Sequence, residues 1–154
     1  MADDAPSPDV HLIAVDRSNW REVADLEVHD AQRDFVAAPA RYLALCAYDG
    51  VWTPLAIRAE DRIVGMLMWA VDPEDGACWL GGVLVDRRWQ RQGIGRRAME
   101  LALDRLSEEA ARGGFALSYR PENHAAHRVY AALGFVETGE TDGDERVARL
   151  AVPT

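Results

Sequence analysis

Lysine is absent from this sequence, and all 17 basic residues are arginine. A nucleotide-binding P-loop requires a lysine after its glycines, so the absence of lysine excludes that class of phosphate site. Cysteine and histidine are also scarce, with two cysteines (Cys46 and Cys78) and four scattered histidines. Neither set has the spacing of a zinc or redox motif, so we expect free thiols and no bound metal.

Long apolar segments and an excess of positive charge are missing as well. No hydrophobic run approaches the ~20 residues of a membrane span, and residues 1–8 lack the features of a signal peptide. We therefore predict a disordered leader at 1–8, a single domain at 9–154, a cytoplasmic location and no membrane partner. The net charge of −9 argues against nucleic-acid binding and is compatible with a cationic substrate.

Hydrophobic periodicity predicts a mixed α/β domain. The predicted strands cover 10–15, 54–58, 63–71, 77–85 and 115–119, with two more around an acidic turn at 139–144. The predicted helices cover 19–30, 39–49, 93–113 and 123–133. Asn19 and Glu22 have the spacing of a capping box for the first helix. The strand at 115–119 follows a strand and a helix, so we expect it to pair parallel to 77–85.

A candidate phosphate-binding turn joins the strand that ends at Val85 to the helix that begins near Gly93. The N-terminus of a helix presents free amide groups and partial positive charge, and glycines let an anion approach the backbone. Arg91 and Arg96 add positive charge at this turn. A Rossmann dinucleotide turn is disfavoured because Ala98 stands where a third glycine is required. A purely structural turn is the remaining alternative.

Two segments carry a resemblance to a known family. Gln90-Arg-Gln-Gly-Ile-Gly95 is similar to the Q/R-x-x-G-x-G/A signature of the GNAT acetyltransferases, and Asn123 to Phe135 is similar to their N-x-x-A-x-x-x-Y-x-x-x-G-F segment. The resemblance covers nearly the whole chain and is greatest to the bacterial diamine and polyamine (spermine/spermidine) acetyltransferases. It implies the GNAT fold: a mixed, mostly antiparallel sheet with one splayed parallel pair of strands and flanking helices.

The resemblance also implies that acetyl-CoA is the co-substrate and lies between the two splayed strands. The backbone of residues 83–85 would hydrogen-bond the pantetheine arm, the turn at 90–96 would hold the pyrophosphate, and Tyr130 would be the acid that protonates the departing thiolate. The residues so assigned to acetyl-CoA are Val83, Leu84, Val85, Gln90, Arg91, Gln92, Gly93, Ile94, Gly95, Arg96, Asn123 and Tyr130. From the residues alone, Tyr130 is simply an inward residue of an apolar helix face, and a core tyrosine is the default interpretation.

The acceptor site is less defined because polyamine-type relatives commonly carry an acidic residue where this chain has Gly81-Gly82. These glycines indicate a β-bulge or a wider cleft. We expect other carboxylates to bind a cationic acceptor beside an aromatic wall. The candidates are Glu27, Asp30, Asp34 and Trp52, with Trp79 and Trp89 as further aromatic residues. A solvated helix face and core tryptophans are the alternative, and the acidic cluster at 137–145 is most simply a solvated hairpin.

The implied function is acetyl transfer to a primary amine of a small molecule, a diamine or polyamine such as spermidine or spermine. Three other acceptors stay open, namely an amino acid, an aminoglycoside and a protein N-terminus. A non-catalytic acetyl-CoA sensor is the alternative from another class. Because dimers are common among relatives, we also expect a homodimer, with residues 147–152 forming an edge strand available for pairing.

Overall fold

The fold is a single sheet with helices on both faces, as seen in a computed structural model that describes residues 8–152. The strands are β1 Val10–Ala14, β2 Thr53–Ala59, β3 Arg62–Val71, β4 Cys78–Val85, β5 Phe115–Tyr119, β6 Val136–Asp142 and β7 Glu145–Leu150. The helices are α1 Trp20–Ala24, α2 Pro39–Asp49, α3 Ile94–Arg105 and α4 His124–Ala132. Apart from residue 8, the predicted leader lies outside the described residues.

The sheet has the order β1-β2-β3-β4-β5-β7-β6, and β4 and β5 are its parallel pair. The remaining neighbours are antiparallel, which confirms the predicted mixed sheet. Successive side chains of a strand point to opposite faces. Leu55 and Leu67 accordingly pack in the cluster that contains Met99 of α3, while Ala56 and Met66 pack beneath α1 and α2.

The predicted first helix is wrong in its length, since α1 ends at Ala24 rather than near residue 30. Asn19 does not cap it: the side-chain oxygen accepts a hydrogen bond from the amide of Asp16, and the side-chain nitrogen donates to the carbonyl of Ala14. The amide of Glu27 donates to the Asp86 carboxylate, which ties residues 25–27 to the end of β4. Glu27, Asp30 and Asp34 therefore do not share one helix.

The C-terminal hairpin also differs from the prediction. β6 extends to Asp142, so the turn is confined to Gly143 and Asp144. β7 lies between β5 and β6, and the predicted edge strand at 147–152 is therefore wrong. The exposed edge is β6, whose seven residues are all exposed. Within residues 8–152, no helix is both long enough and apolar enough to cross a membrane.

Candidate active site

The parallel pair β4 and β5 separates soon after it begins. Only Cys78 with Phe115 and Trp79 with Ala116 are paired, and beyond them the strands diverge. On its other side β4 carries a bulge, because two residues, Gly82 and Val83, lie between the partners of Met66 and Met68. Gly82 has a φ of +57°, a left-handed conformation that glycine adopts readily. The bulge predicted from the two glycines is thus present, and the β4 backbone faces an open cleft.

A cavity of about 280 Å³ occupies this cleft. Its lining comes from both splayed strands, from α4, from the C-terminal hairpin and from the segment around α2. The lining residues are Phe35, Val36, Tyr42, Trp52, Met68, Trp79, Leu80, Gly81, Gly82, Val83, Leu117, Ser118, Tyr119, Asn123, Ala126, Tyr130, Asp142 and Glu145. Two of them are carboxylates, and none of these lining residues is an arginine or a histidine.

Tyr130 reaches the cavity from α4 and is held by aromatic neighbours. Its ring centroid lies 5.7 Å from that of Tyr119 and 6.1 Å from that of Phe135. Burial raises the pKa of Tyr130, and the negative charge of Glu145 raises it further. The hydroxyl therefore stays protonated at neutral pH and can donate a proton, as an acid must.

Asn123, which was predicted to bind acetyl-CoA, lies at the start of α4, where its side-chain oxygen accepts a hydrogen bond from the amide of Ala126. Because it also lines the cavity, it is placed beside Tyr130. Val83 faces the same cavity from β4, whereas Leu84 is buried on the other face of that strand and Val85 packs with Ile57 and Ile94. For Leu84 and Val85, only the backbone is available to a ligand in the cleft.

Of the predicted acceptor residues, the structure places Trp52 at the cavity. A Cβ at Gly81 would lie 3.4 Å from two carbons of the Trp52 ring, so the indole covers the place where a side chain at position 81 would stand. Trp79 also lines the cavity. Trp89 instead packs beside the cluster formed by β1, β2 and α3.

The three predicted acceptor carboxylates do not line the cavity. Glu27 forms an ion pair with Arg87 at 3.3 Å, on the side of the phosphate turn. Asp30 pairs with Arg33 at 3.2 Å, and its side chain is exposed. Asp34 is exposed on the same loop. Their predicted role in acceptor binding receives no support from this geometry.

The carboxylates that do line the cavity, Asp142 and Glu145, belong to the hairpin whose acidic residues were interpreted as solvated. The Ser118 hydroxyl donates a hydrogen bond of 2.7 Å to Glu145. The register of β7 against β5 produces this placement. Ser118 pairs with Val147, and Glu145 lies two residues from Val147, so Ser118 and Glu145 are diagonal neighbours on one face of the sheet.

The phosphate turn is open in the way that an anion site requires. Gly93 has a φ of +75°, and a Cβ built there would meet no atom within 4 Å. Gly95 would meet only the Val85 side chain, at 3.6 Å. Arg91, Gln92 and Arg96 are exposed at this turn. By contrast, Ile94 is buried and packs with Ala98 in the core.

Gln90 ties the turn to the rest of the molecule. Its amide nitrogen donates to the carbonyl of Val85 and to the side chain of Gln32, both at 2.8 Å. The side chain of Gln32 donates back to the Gln90 oxygen at 3.1 Å. Since the Gln90 side chain is occupied in this way, its contribution to an anion site would come through its backbone.

Asp86 is a structural residue that the sequence analysis did not single out. It is only 1% exposed, and its carboxylate accepts hydrogen bonds from the amides of Glu27 and Arg88 and from the Arg88 side chain. Burial acts to raise the pKa of Asp86, but these hydrogen bonds outweigh it and the pKa is lowered. The ionised carboxylate thus fixes the loop after α1 against the phosphate turn.

Comparison with known proteins assigns this chain to a protein family. The sequence profile of the Acetyltransferase (GNAT) family matches residues 14–135, most of the chain. The chain belongs to the GNAT acetyltransferase family. The acetyltransferase is 26% identical over 139 residues to a spermine/spermidine N(1)-acetyltransferase of Bacillus subtilis (strain 168), a match that covers 86% of this chain and 91% of that protein.

Solved structures show the same fold for this acetyltransferase. A spermidine N-acetyltransferase from Vibrio cholerae, in complex with CoA and spermine, has a TM-score of 0.68 at 18% identity and covers 91% of this chain and 92% of its own. A ribosomal alpha-N-protein acetyltransferase in complex with coenzyme A has a TM-score of 0.72 at 18% identity. That match covers 96% of this chain and 97% of the other. At such identities the likeness establishes the fold alone.

The acetyl donor of the family, acetyl-CoA, fits the residues found here. Beyond Trp79 the β4 backbone is free on the side facing β5, so it can pair with an extended pantetheine arm as an added strand would. The space above Gly93 and Gly95 can receive the pyrophosphate near the exposed Arg91 and Arg96. Bound acetyl-CoA supplies the acetyl thioester that the reaction consumes.

The phosphate turn generates a direct prediction. Gly93→Trp should weaken acetyl-CoA binding at least about 100-fold, because the side chain enters space that is open in the free protein and that the pyrophosphate needs. Isothermal titration calorimetry with acetyl-CoA measures the effect.

The matched control is Gly50→Trp. Gly50 has a φ of +76° and nothing within 4 Å of a built Cβ, so the backbone strain and free space are alike while the position is remote from the turn. Unchanged binding in Gly93→Trp, or equal weakening in Gly50→Trp, would contradict this assignment of the turn.

Proposed function

We propose that this acetyltransferase acetylates a primary amine of a small cationic acceptor, a diamine or polyamine such as spermidine or spermine. The observation that carries the proposal is the composition of the cavity at Tyr130. Two carboxylates, Asp142 and Glu145, and the indoles of Trp52 and Trp79 line it, and no lining residue is basic. A site of this kind concentrates ammonium groups and offers them aromatic faces.

The cavity lining contains both apolar and acidic groups, as a linear polyamine would need. Phe35, Val36 and Met68 supply apolar surface along which a methylene chain can lie, while the carboxylates stand on the C-terminal hairpin. Trp52 reaches the same space because Gly81 has no side chain to displace it. Gly81, which departs from the polyamine-type pattern, thus leaves room for the aromatic side chain of Trp52. The negative charge of the cavity comes instead from the C-terminal hairpin.

Different residues of the cleft would serve different steps of the acetyl transfer. In direct transfer, the amine nitrogen attacks the thioester carbonyl and the carbonyl oxygen gains negative charge. An amide of the β4 bulge, which lies beside the cavity at Gly82 and Val83, would be the donor that stabilises that oxygen. Tyr130 would give its proton to the departing thiolate. Asn123 and Ala126, at the start of α4, would border the carrier arm.

Assembly and location remain predictions. The exposed backbone of β6 is the sheet edge through which a homodimer would pair, in place of the edge predicted at 147–152. A cytoplasmic location, like the absence of nucleic-acid and membrane partners, is still inferred from composition.

A thiol-release assay tests the proposed substrate class. With acetyl-CoA and a panel of spermine, spermidine, putrescine, amino acids, an aminoglycoside and an N-terminal peptide, we expect kcat/KM for the linear diamine and polyamines to exceed that for the other acceptors by about tenfold or more. A linear chain can lie along the apolar surface and still place a second ammonium near the carboxylates. Faster thiol release with another acceptor would support the acetyltransferase activity but refute a polyamine as its substrate. No release with any amine would refute the catalytic function.

Tyr130→Phe tests the acid. Loss of the hydroxyl should lower kcat about 100-fold or more and leave the Kd of acetyl-CoA nearly unchanged, because the group acts on the departing thiolate. Since the pKa of Tyr130 is raised, the wild-type enzyme should keep this acid protonated up to at least about pH 10. Stopped-flow turnover and calorimetric binding separate the two effects.

The control for this substitution is Tyr119→Phe in the same aromatic cluster. The Tyr119 hydroxyl donates a hydrogen bond to Glu137 at 2.7 Å and lies 2.9 Å from the His127 ring, so it is occupied by the protein. We expect Tyr119→Phe to retain most turnover. Equal losses of turnover and acetyl-CoA binding in Tyr130→Phe would show a structural role instead.

A further inference from the structure

We propose that Glu145 is the general base of the transfer, the group that takes a proton from the acceptor ammonium so that the amine can attack. The inference rests on the proposed amine acetylation and deepens it by naming the missing partner of Tyr130. A base is needed because an ammonium nitrogen has no lone pair.

The position of Glu145 is fixed by the pairing of β5 and β7. Ser118 faces the cavity from β5, and its hydroxyl donates to one carboxylate oxygen of Glu145 at 2.7 Å. That single hydrogen bond orients the carboxylate. In residues 8–152 no other hydrogen bond or ion pair engages Glu145, so its second oxygen can meet an ammonium in the cavity.

This freedom distinguishes Glu145 from Glu137 and Glu140, the two other glutamates of the hairpin. Glu137 lies near Arg146 at 3.7 Å and accepts a hydrogen bond from Tyr119, and Glu140 pairs with Arg149 at 2.8 Å. Their charge is already neutralised by arginine. Arg146, the chain neighbour of Glu145, is directed to Glu137 and so does not compete for the cavity carboxylate.

Asp142 is the other carboxylate on the cavity wall, but it fits the role less well. It is exposed, and no hydrogen bond from residues 8–152 orients its side chain. Glu145 is half-buried and held by Ser118. The negative charge of Glu145 also contributes to raising the pKa of Tyr42 and Tyr130, two of the three tyrosines that line the cavity.

The complete step balances with these two groups. An ammonium proton passes to Glu145, and the freed lone pair attacks the thioester carbonyl to form the C–N bond. The C–S bond breaks, and the coenzyme A thiolate takes the proton of Tyr130. The nitrogen, now carrying positive charge, loses a second proton that restores the Tyr130 hydroxyl. Glu145 then releases its proton to solvent, which leaves the amide, the free thiol and one proton.

The substitution Glu145→Gln tests the assignment, because it keeps the size and the hydrogen bond from Ser118 but removes the base. With spermidine at pH 7 we expect kcat/KM to fall about 100-fold or more, with an unchanged Kd for acetyl-CoA. The loss should shrink as the pH rises toward the ammonium pKa, because solvent then supplies neutral amine. It should also be smaller for a weakly basic fluorinated ethylamine.

Three variants control the experiment. Asp144→Asn makes the same chemical change on the same hairpin outside the cavity lining and should leave turnover unchanged. Ser118→Ala removes the orienting hydrogen bond and should cost roughly tenfold in kcat/KM with the same pH trend. It also serves as the test if Glu145→Gln fails to fold. Asp142→Asn should have a smaller effect than Glu145→Gln.

The outcomes separate this inference from the proposed function. If the turnover of Glu145→Gln stays within twofold of the wild-type value, Glu145 is not the general base, but the proposed acetyltransferase activity still stands. A loss of kcat/KM in Glu145→Gln that is equal at every pH and for both amines would also overturn the assignment. It would show that the negative charge of Glu145 only binds the acceptor. A larger loss in Asp142→Asn would overturn it in favour of that residue. A wild-type protein inactive with every amine would overturn both proposals.

Discussion

The early end of the β4–β5 pairing is the constraint on which the rest of the site depends. Two parallel pairs, at Cys78 and Trp79, hold the strands together at one end, and beyond them each strand has backbone groups without a strand partner on the facing side. Unpaired backbone groups need a partner or solvent. The bulge at Gly82 and Val83 increases the divergence, and the cavity, the open β4 backbone and the position of Tyr130 follow from it.

Charge is distributed so that the two ends of this cleft attract opposite ligands. At the phosphate turn, Asp86 is buried and fully engaged, which leaves Arg91 and Arg96 exposed. At the other end, arginines neutralise the outward carboxylates of the C-terminal hairpin, whereas Glu145 and Asp142 face the cavity. This distribution of charge suits the anionic carrier and the cationic acceptor proposed above, although the chain as a whole carries a net charge of −9.

The sequence predicted the features that rest on local patterns. Three such features are encoded by residues that lie close together in the sequence, and the structure has all three. They are the alternation of the strands, the glycine turn at Gly93 and the apolar face of α4. The first helix was predicted to run to about residue 30, and so to include Glu27 and Asp30, but it ends at Ala24. Sequence periodicity could not show this, because residues 25–27 are held by a hydrogen bond from the Glu27 amide to Asp86, 59 residues away. Glu145 was interpreted as solvated because its position depends on the register of β7 against β5.

Hydrogen exchange with and without acetyl-CoA tests the central claim most directly, that the diverging β4 backbone and the phosphate turn together hold the carrier. The account predicts slower exchange on ligand binding at the amides of residues 83–85 and 93–96, because the pantetheine arm and the pyrophosphate would accept their hydrogen bonds. Unchanged exchange in both segments when acetyl-CoA binds would contradict it.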